Sequence, residues 1–360
     1  MLPAQLTTPL PAERTPGPPP TQPAATRDPF LDNAKLLALV LVVCGHLWEP
    51  LVGHAGERGL RALYLLVYAF HMPAFILISG YLSRSYTGRP PQLRRLLSGV
   101  LVPYLMWSTL LALFTNYVAD KHAALQPLTP VWITWFLISL FLWRLTAPFW
   151  STLRAPVAIA VVIFLASGAF PVGAQLSITR TLQFLPFFVI GLVLRPEHLQ
   201  RLRQATWLRI AALPLFTVAG GLAYWLVPRL PLQWVYRSGS ARELHASYTH
   251  WLAQSAAIFL VGVVLTAAFL ALVPRRRTWW THLGAGTMYA FLLHAFIRQA
   301  LAYNGLYDNA FWHRSLGQAV LTAGSIALAL ALCTTPVRRV FRPLVEPRMK
   351  WLFRPSPSAS

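Results

Sequence analysis

The sequence predicts an all-α membrane protein, a polytopic helical bundle of about ten transmembrane helices with both termini in the cytoplasm (N-in/C-in). Of the 360 residues, 56% are hydrophobic and 11% are charged, and the mean hydropathy is +0.51. A soluble domain carries about 25% charged residues, because folding always leaves a surface that faces water. Apolar runs recur along the chain, and basic residues cluster between them. These observations indicate lipid as the surrounding solvent.

The sequence predicts three segments in the chain. Residues 1–26 are rich in Pro, Thr and Ala and have no apolar core, which predicts a disordered cytoplasmic tail and not a signal peptide. Residues 27–335 form the membrane domain, and residues 336–360 form a basic cytoplasmic tail. Cys44 and Cys333 both lie in apolar runs, so neither a disulfide framework nor a metal site is predicted.

Ten apolar runs are long enough, at about 20 residues each, to cross a hydrocarbon layer of about 30 Å. The fourth, fifth and sixth are the shortest. The runs lie near residues 34–52, 62–83, 96–118, 132–149, 155–171, 180–194, 207–227, 250–273, 284–303 and 315–335.

The positive-inside rule predicts the orientation. With the amino terminus in the cytoplasm, the cytoplasmic segments hold 21 of the 31 basic residues and the outer segments hold eight. Lys35 and Arg298 fall within helices. The formal net charge of +21 does not indicate a nucleic-acid partner, because the arginines sit in short clusters between apolar runs.

The first helix carries an informative pair, Lys35 and His46. Their separation of eleven residues corresponds to three turns plus about 20°, so both share one face about 16 Å apart along the axis. This spacing suits a ligand with an anionic head at the inner surface and a reactive end within the membrane. The alternative is a lysine that snorkels and a histidine bonded between helices. Asp32 and Asn33 precede this helix as N-cap residues, or Asp32 orients Lys35 one turn later.

Polar residues in two other helices, the second and the ninth, are further candidates, because an ionisable group within a membrane is costly. His71 is either a site residue or a packing histidine. Ser79 is predicted to be a packing hydroxyl, and the adjacent Gly80 permits close helix contact. In the ninth run, Tyr289 fits an interfacial tyrosine, whereas His294 lies deeper and points to function.

Arg94 and Arg95 stand at the cytoplasmic entrance of the third helix. Guanidinium groups there can hold phosphates through paired hydrogen bonds. The alternative is ordinary positive-inside anchoring.

Together, these segments resemble the acyltransferase-3 family of bacterial membrane O-acyltransferases, particularly its fucose 4-O-acetylase-like branch, over residues 27–335. The family has a basic residue, ten intervening residues and a histidine in the first helix, as Lys35 and His46 do. The branch begins with Asp-Asn-x-Lys, which matches DNAK at Asp32 to Lys35. Further matching segments are HMPAFILISGYL from His71, RRLLSGVLVPYLMW from Arg94, WFLISLFLWRL from Trp135, FLPFFVIGLVL from Phe184 and GTMYAFLLH ending at His294.

The resemblance implies an enzyme of the plasma membrane that transfers an acyl group, usually acetyl, from cytoplasmic acyl-CoA to a hydroxyl of a sugar, surface glycan or related acceptor. Acyl-CoA is a co-substrate, and no cofactor or metal is expected. A histidine can take and return a proton near neutral pH. The predicted roles are catalysis for His46, His71 and His294, binding of acyl-CoA phosphates for Lys35, Arg94 and Arg95, and support for Asp32, Asn33, Ser79 and Tyr289.

Two other classes of protein remain open from the sequence. A transporter or flippase would also carry ionisable groups in the membrane, although no repeated halves are visible here. A scaffold subunit without chemistry would tolerate substitution of His46 and His71.

Overall fold

The computed structural model describes residues 27–53, 57–120, 125–171, 173–347 and 349–353. Within these ranges the chain consists of helices and connecting loops without a β-strand, which confirms the predicted all-α class. The predicted amino-terminal tail, residues 1–26, and the end of the predicted carboxyl-terminal tail, residues 354–360, lie outside the described residues.

Fourteen α-helices are assigned in the described part of the chain, and a π-helical turn at Leu97–Leu101 joins the third to the fourth as one continuous segment, Pro90–Val118. In chain order they are α1 Pro29–Trp48, α2 Arg58–Leu82, α3 Pro90–Leu96, α4 Val102–Val118, α5 Trp135–Thr152, α6 Pro156–Ala166, α7 Ile178–Val193, α8 Pro196–Gln204, α9 Thr206–Leu226, α10 Gln233–Tyr236, α11 Tyr248–Leu272, α12 Thr287–Tyr303, α13 Ser315–Leu332 and α14 Thr335–Val345.

Eight helical segments of the described residues are long and apolar enough to cross a membrane, and each overlaps a predicted run. They are Pro29–Trp48, Arg58–Leu82, Pro90–Val118, Trp132–Thr152, Gln175–Val193, Thr206–Leu226, Tyr248–Leu272 and Ser315–Leu332. The fifth and ninth predicted runs form shorter helices. The 11 residues of α6 and the 17 of α12 measure about 16 Å and about 26 Å, against a hydrocarbon layer of about 30 Å.

Contacts between loops define two ends of the bundle. At the first, which we call the Asp28 end, Arg203 Nη2 donates to Asp28 Oδ2 at 2.5 Å, and Asn33 Nδ2 donates to the carbonyl oxygen of Pro274 at 3.0 Å. These bonds join the start of α1 to the segments that follow α7 and α11. All of these segments belong to the side that the sequence predicts to be cytoplasmic.

At the opposite end, which we call the Glu57 end, other loops meet. Glu57 Oε1 lies 3.0 Å from His313 Nδ1, which joins the start of α2 to the loop before α13. The amide of Ala241 donates to the carbonyl oxygen of Gly168 at 3.0 Å, which joins the loop after α10 to the end of α6. The short helix α6 therefore reaches the same end as the long helices.

Two glycines allow α2 and α7 to pack with their backbones in contact. A Cβ atom added to Gly80 would overlap the carbonyl oxygen of Phe188, and one added to Gly191 would overlap that of Leu77. Small residues permit this close approach in membrane helices. The predicted role of Gly80 is thereby confirmed.

The start of α1 differs from the sequence prediction. Asp28 is the N-cap, and its side chain accepts from the amide of Phe30 at 2.9 Å. Pro29 occupies the first helical position, where its fixed φ angle suits a helix start. The N-cap interpretation of Asp32 and Asn33 is therefore wrong, because both lie inside the helix and are buried.

Part of the predicted carboxyl-terminal tail is folded onto the bundle. Helix α14 packs against α4, α12 and α13. Its residue Val345 is buried, and Trp107 Nε1 donates to the carbonyl oxygen of Leu344 at 3.0 Å.

Candidate active site

Two histidines from opposite ends of the sequence meet inside the bundle. His46 of α1 and His294 of α12 stack with ring centroids 5.4 Å apart. The indole of Trp132, just before α5, meets the His46 ring edge-on at 4.7 Å. His294 is fully buried, and the His46 side chain is 15% exposed. Three helices that are distant in sequence thus build one aromatic cluster.

His71 joins this cluster through Tyr68, its neighbour on α2. The Tyr68 ring lies 4.6 Å from the His71 ring and 6.4 Å from the His46 ring, between centroids. The structure therefore brings together the three histidines that the sequence singles out.

Hydrogen bonds determine the tautomers of His71 and His294. The Nδ1 atom of His71 lies 2.8 Å from the carbonyl oxygen of Val67, and that of His294 lies 2.9 Å from the carbonyl oxygen of Ala290. Because a carbonyl oxygen can only accept, each Nδ1 carries the hydrogen and each Nε2 of the neutral ring carries a lone pair. His294 Nε2 is buried and has no hydrogen-bond partner among the described residues.

A cavity of about 80 Å³ adjoins the cluster, which is room for several water molecules or a small group. His46, His71 and Trp132 line it together with aromatic and aliphatic side chains. Two charged residues, Glu49 and Arg180, also face it.

Glu49 follows His46 by one turn of α1. Its Oε2 atom lies 3.6 Å from His46 Nδ1 and 3.4 Å from Arg298 Nη2. The guanidinium of Arg298 lies over the Trp132 ring at 4.8 Å. The carboxylate thus stands between an imidazole and a fixed cation.

Arg180 and Tyr236 also line the cavity. Arg180 lies in α7 over the ring of Trp135, 5.3 Å from its centroid. The hydroxyls of Tyr236 and Tyr64 are 3.0 Å apart. Burial raises the pKa of the Tyr236 phenol, which therefore stays protonated at neutral pH and can donate a hydrogen bond.

Lys35 lies toward the Asp28 end of α1 and is paired there. Its Nζ atom is 2.8 Å from Asp32 Oδ1, and Arg27 donates to both oxygens of the same carboxylate, at 3.0 and 2.9 Å. Asp32 therefore holds Lys35 in place, as one of the two sequence interpretations proposes. Eleven residues, or about 16 Å of helix, separate Lys35 from His46.

Asn33 connects α1 to the loop that follows α11. Its Nδ2 donates to the carbonyl oxygens of Pro274 and Arg276 at 3.0 and 3.1 Å. Its Oδ1 accepts from the hydroxyls of Thr281 and Thr278 at 2.8 and 3.3 Å. All four bonds are structural, so Asn33 supports the position of α1.

Arg94 and Arg95 lie in α3 and do not line the cavity at His46. Arg95 is exposed and donates from Nε to the carbonyl oxygen of Pro91 at 3.3 Å. Arg94 stands over the ring of Phe353, 5.7 Å from its centroid, in the segment that follows α14.

The two remaining predicted residues, Ser79 and Tyr289, lie apart from the histidines. Ser79 donates to the carbonyl oxygen of Phe75 at 2.9 Å within α2, as a packing hydroxyl does. Tyr289 is buried and borders a different cavity, next to α14. The described residues contain no group of three His, Cys, Asp or Glu side chains suited to a metal ion.

Sequence reasoning missed Glu49, Arg298, Arg180, Tyr68 and Trp132 as site residues. The signals for the first two are local: Glu49 follows His46 by three residues, and Arg298 follows His294 by four, so each shares a helix face with its histidine. Tyr68 has the same kind of local signal, since it precedes His71 by three residues on α2. Arg180 and Trp132 enter the site through contacts between helices that no local pattern indicates.

The chain is similar to a known protein family and to two curated proteins. A family model described as "Acyltransferase domain" matches residues 28–334. A nodulation protein, NolL, of Mesorhizobium japonicum is 30% identical over an alignment of 195 positions, which covers 47% of this chain and 48% of that protein. NolL of Sinorhizobium fredii is 28% identical over an alignment of 188 positions, which covers 47% of this chain and 49% of that protein. The chain therefore aligns with about half the length of these curated relatives. No solved structure matches.

Proposed function

We propose, since this chain belongs to the acyltransferase-3 family, that it is a membrane enzyme that transfers an acyl group from acyl-CoA to a hydroxyl group of a carbohydrate-containing acceptor. Acetyl is the expected acyl group. The observation that carries the proposal is the cavity where His46, its neighbour Glu49 and the cation Arg180 meet.

His46 would act as the general base. Glu49 lies on the Nδ1 side of the ring, where a carboxylate favours the tautomer with hydrogen on Nδ1 and leaves Nε2 to accept a proton. The acceptor oxygen would attack the thioester carbon while Nε2 takes its proton. The C–O bond forms, the C–S bond breaks, and the same proton passes to the sulfur to give the free CoA thiol.

Arg180 is the candidate for stabilising the negative charge that develops on the thioester oxygen. Fixed donors aimed at a developing oxyanion contribute strongly in sites that exclude water. The protonated phenol of Tyr236 lines the same cavity and offers a second donor. His294 and His71 would hold the His46 ring and the reacting groups in place.

Donor binding requires the Asp28 end to face the cytoplasm, where acyl-CoA is found. The excess of basic residues in the segments at this end supports that orientation. Lys35, oriented by Asp32, and the arginines of α3 would bind the CoA phosphates. The membrane would be the plasma membrane, with both termini in the cytoplasm.

Release of CoA thiol tests this function. Purified full-length chain in lipid nanodiscs is mixed with acetyl-CoA and a panel of glycans and glycolipids, and the thiol is detected with a chromogenic disulfide. We expect release that depends on an acceptor hydroxyl, with mass spectrometry showing an added acetyl group. Movement of an acceptor across vesicle membranes without thiol release would instead indicate the transporter.

A further inference from the structure

A second cavity lies at the Asp28 end, between α12 and α14, and encloses about 220 Å³. It does not share a lining residue with the cavity at His46. Its lining is strongly basic and consists of Tyr289, Thr335, Arg338, Arg339, Arg342 and Glu346.

The positive charge of this cavity is incompletely compensated. Arg338 and Arg342 are four residues apart on α14 and therefore share one helix face. Arg342 Nε lies 3.6 Å from Glu346 Oε2, in an ion pair whose side chains are 60% and 54% exposed. Arg338 Nε is buried without a hydrogen-bond partner among the described residues. An anion bound in the cavity would supply an acceptor to this N–H group.

The helix that carries these arginines is packed against the bundle, because α14 contacts α4, α12 and α13. The end of α14 is attached to α4 through the bond from Trp107 to Leu344. Tyr289, which is buried in α12, lines the cavity together with Glu346, Arg338 and Arg342.

We propose that this cavity is a binding site for an organic phosphate group. Arginine matches phosphate because its planar fork donates parallel, charge-assisted hydrogen bonds. Two sources supply this chemistry at the Asp28 end: the phosphates of acyl-CoA and the headgroup of an anionic phospholipid. The first source rests on the function proposed above, whereas the second is independent of it.

The test compares the double variant Arg338→Gln plus Arg342→Gln with a control that removes the same charge. Arg201 and Arg209 are exposed at the same end and do not line the cavity, so Arg201→Gln plus Arg209→Gln is the control. Binding of CoA is measured with the full chain in nanodiscs of neutral phosphatidylcholine. Retention of phosphatidylglycerol is measured by native mass spectrometry after purification from membranes.

If CoA is the source, the double variant binds it at least about tenfold more weakly than the wild type and the control, from the loss of charge-assisted bonds. If a lipid is the source, the variant loses the retained phosphatidylglycerol, and the control keeps it. CoA affinity within twofold together with unchanged lipid retention overturns the proposal.

Thermal unfolding verifies the fold of the variant. Should it not fold, Arg338→Lys plus Arg342→Lys keeps the charge and removes the fork, and the same two measurements decide. Thiol release by the wild type is scored separately. Its absence for every acceptor refutes the transferase function, while the two binding measurements still decide the cavity.

Discussion

Replacing Glu49 by Gln isolates the charge that faces the candidate base. The substitution keeps the size of the side chain and its ability to accept from Arg298, but removes the negative charge 3.6 Å from His46 Nδ1. Glu49 is a positioning residue in the proposed mechanism, because it acts through His46.

The geometry bounds the size of the effect. At 3.6 Å and an effective dielectric constant of about 20, a carboxylate attracts an imidazolium by about 4–5 kcal/mol. The Nη2 atom of Arg298 lies 3.4 Å from the same carboxylate. The positive charge of Arg298 repels the imidazolium and offsets part of this attraction. We therefore expect about half of this attraction, about 2–3 kcal/mol, which corresponds to a loss of about 30- to 150-fold in kcat.

The assay is acceptor-dependent thiol release at saturating acetyl-CoA, with Glu197→Gln as the control because Glu197 is exposed at the start of α8. We expect kcat to fall while the KM for acetyl-CoA stays within about twofold, since Glu49 lies far along α1 from the phosphate-binding residues. A kcat of Glu49→Gln within twofold of the wild-type value would refute the assigned role.

Two further predictions concern stability, measured by thermal unfolding in detergent. Gly191→Ala should destabilise the protein by about 1–3 kcal/mol, because its Cβ would overlap the backbone of α2; Gly221→Ala, where nothing lies near, is the control, and equal melting temperatures would contradict the packing. Asn33→Ala should cost about 2–4 kcal/mol, because four hydrogen bonds are lost; a change below about 0.5 kcal/mol would show that α1 does not depend on them.

The fold class and the order of the helices could be predicted from the sequence, because a lipid solvent demands long apolar runs whatever the packing. The fifth and ninth runs form helices shorter than the runs themselves. The run at 155–171 forms a helix of 11 residues, and the chain leaves the helix at Ser167 and Gly168, where Trp251 leaves no space for a side chain. The length of α6 is therefore limited by packing, which a hydropathy pattern does not describe.

Only part of the site could be predicted from the sequence. Lys35 and His46 share a helix, so their spacing fixes their relative positions before any packing is known. Arg180 lies in α7, whose contacts with α2 and α5 place it at the cavity. In the sequence alone it cannot be distinguished from an arginine of a loop. The basic residues after Pro336 likewise read as a tail, although the pattern of Val337, Phe341 and Val345 already favours one apolar helix face.

The central claim is that His46 acts as the general base, and replacing His46 by Ala tests this claim most directly. The matched control is His282→Ala, because His282 is exposed and lies outside both cavities. We predict that His46→Ala folds and inserts normally and binds acetyl-CoA within about twofold of the wild type, yet releases thiol at least about 100-fold more slowly, while the control keeps its activity. Wild-type rates of transfer by a folded His46→Ala protein would contradict the account.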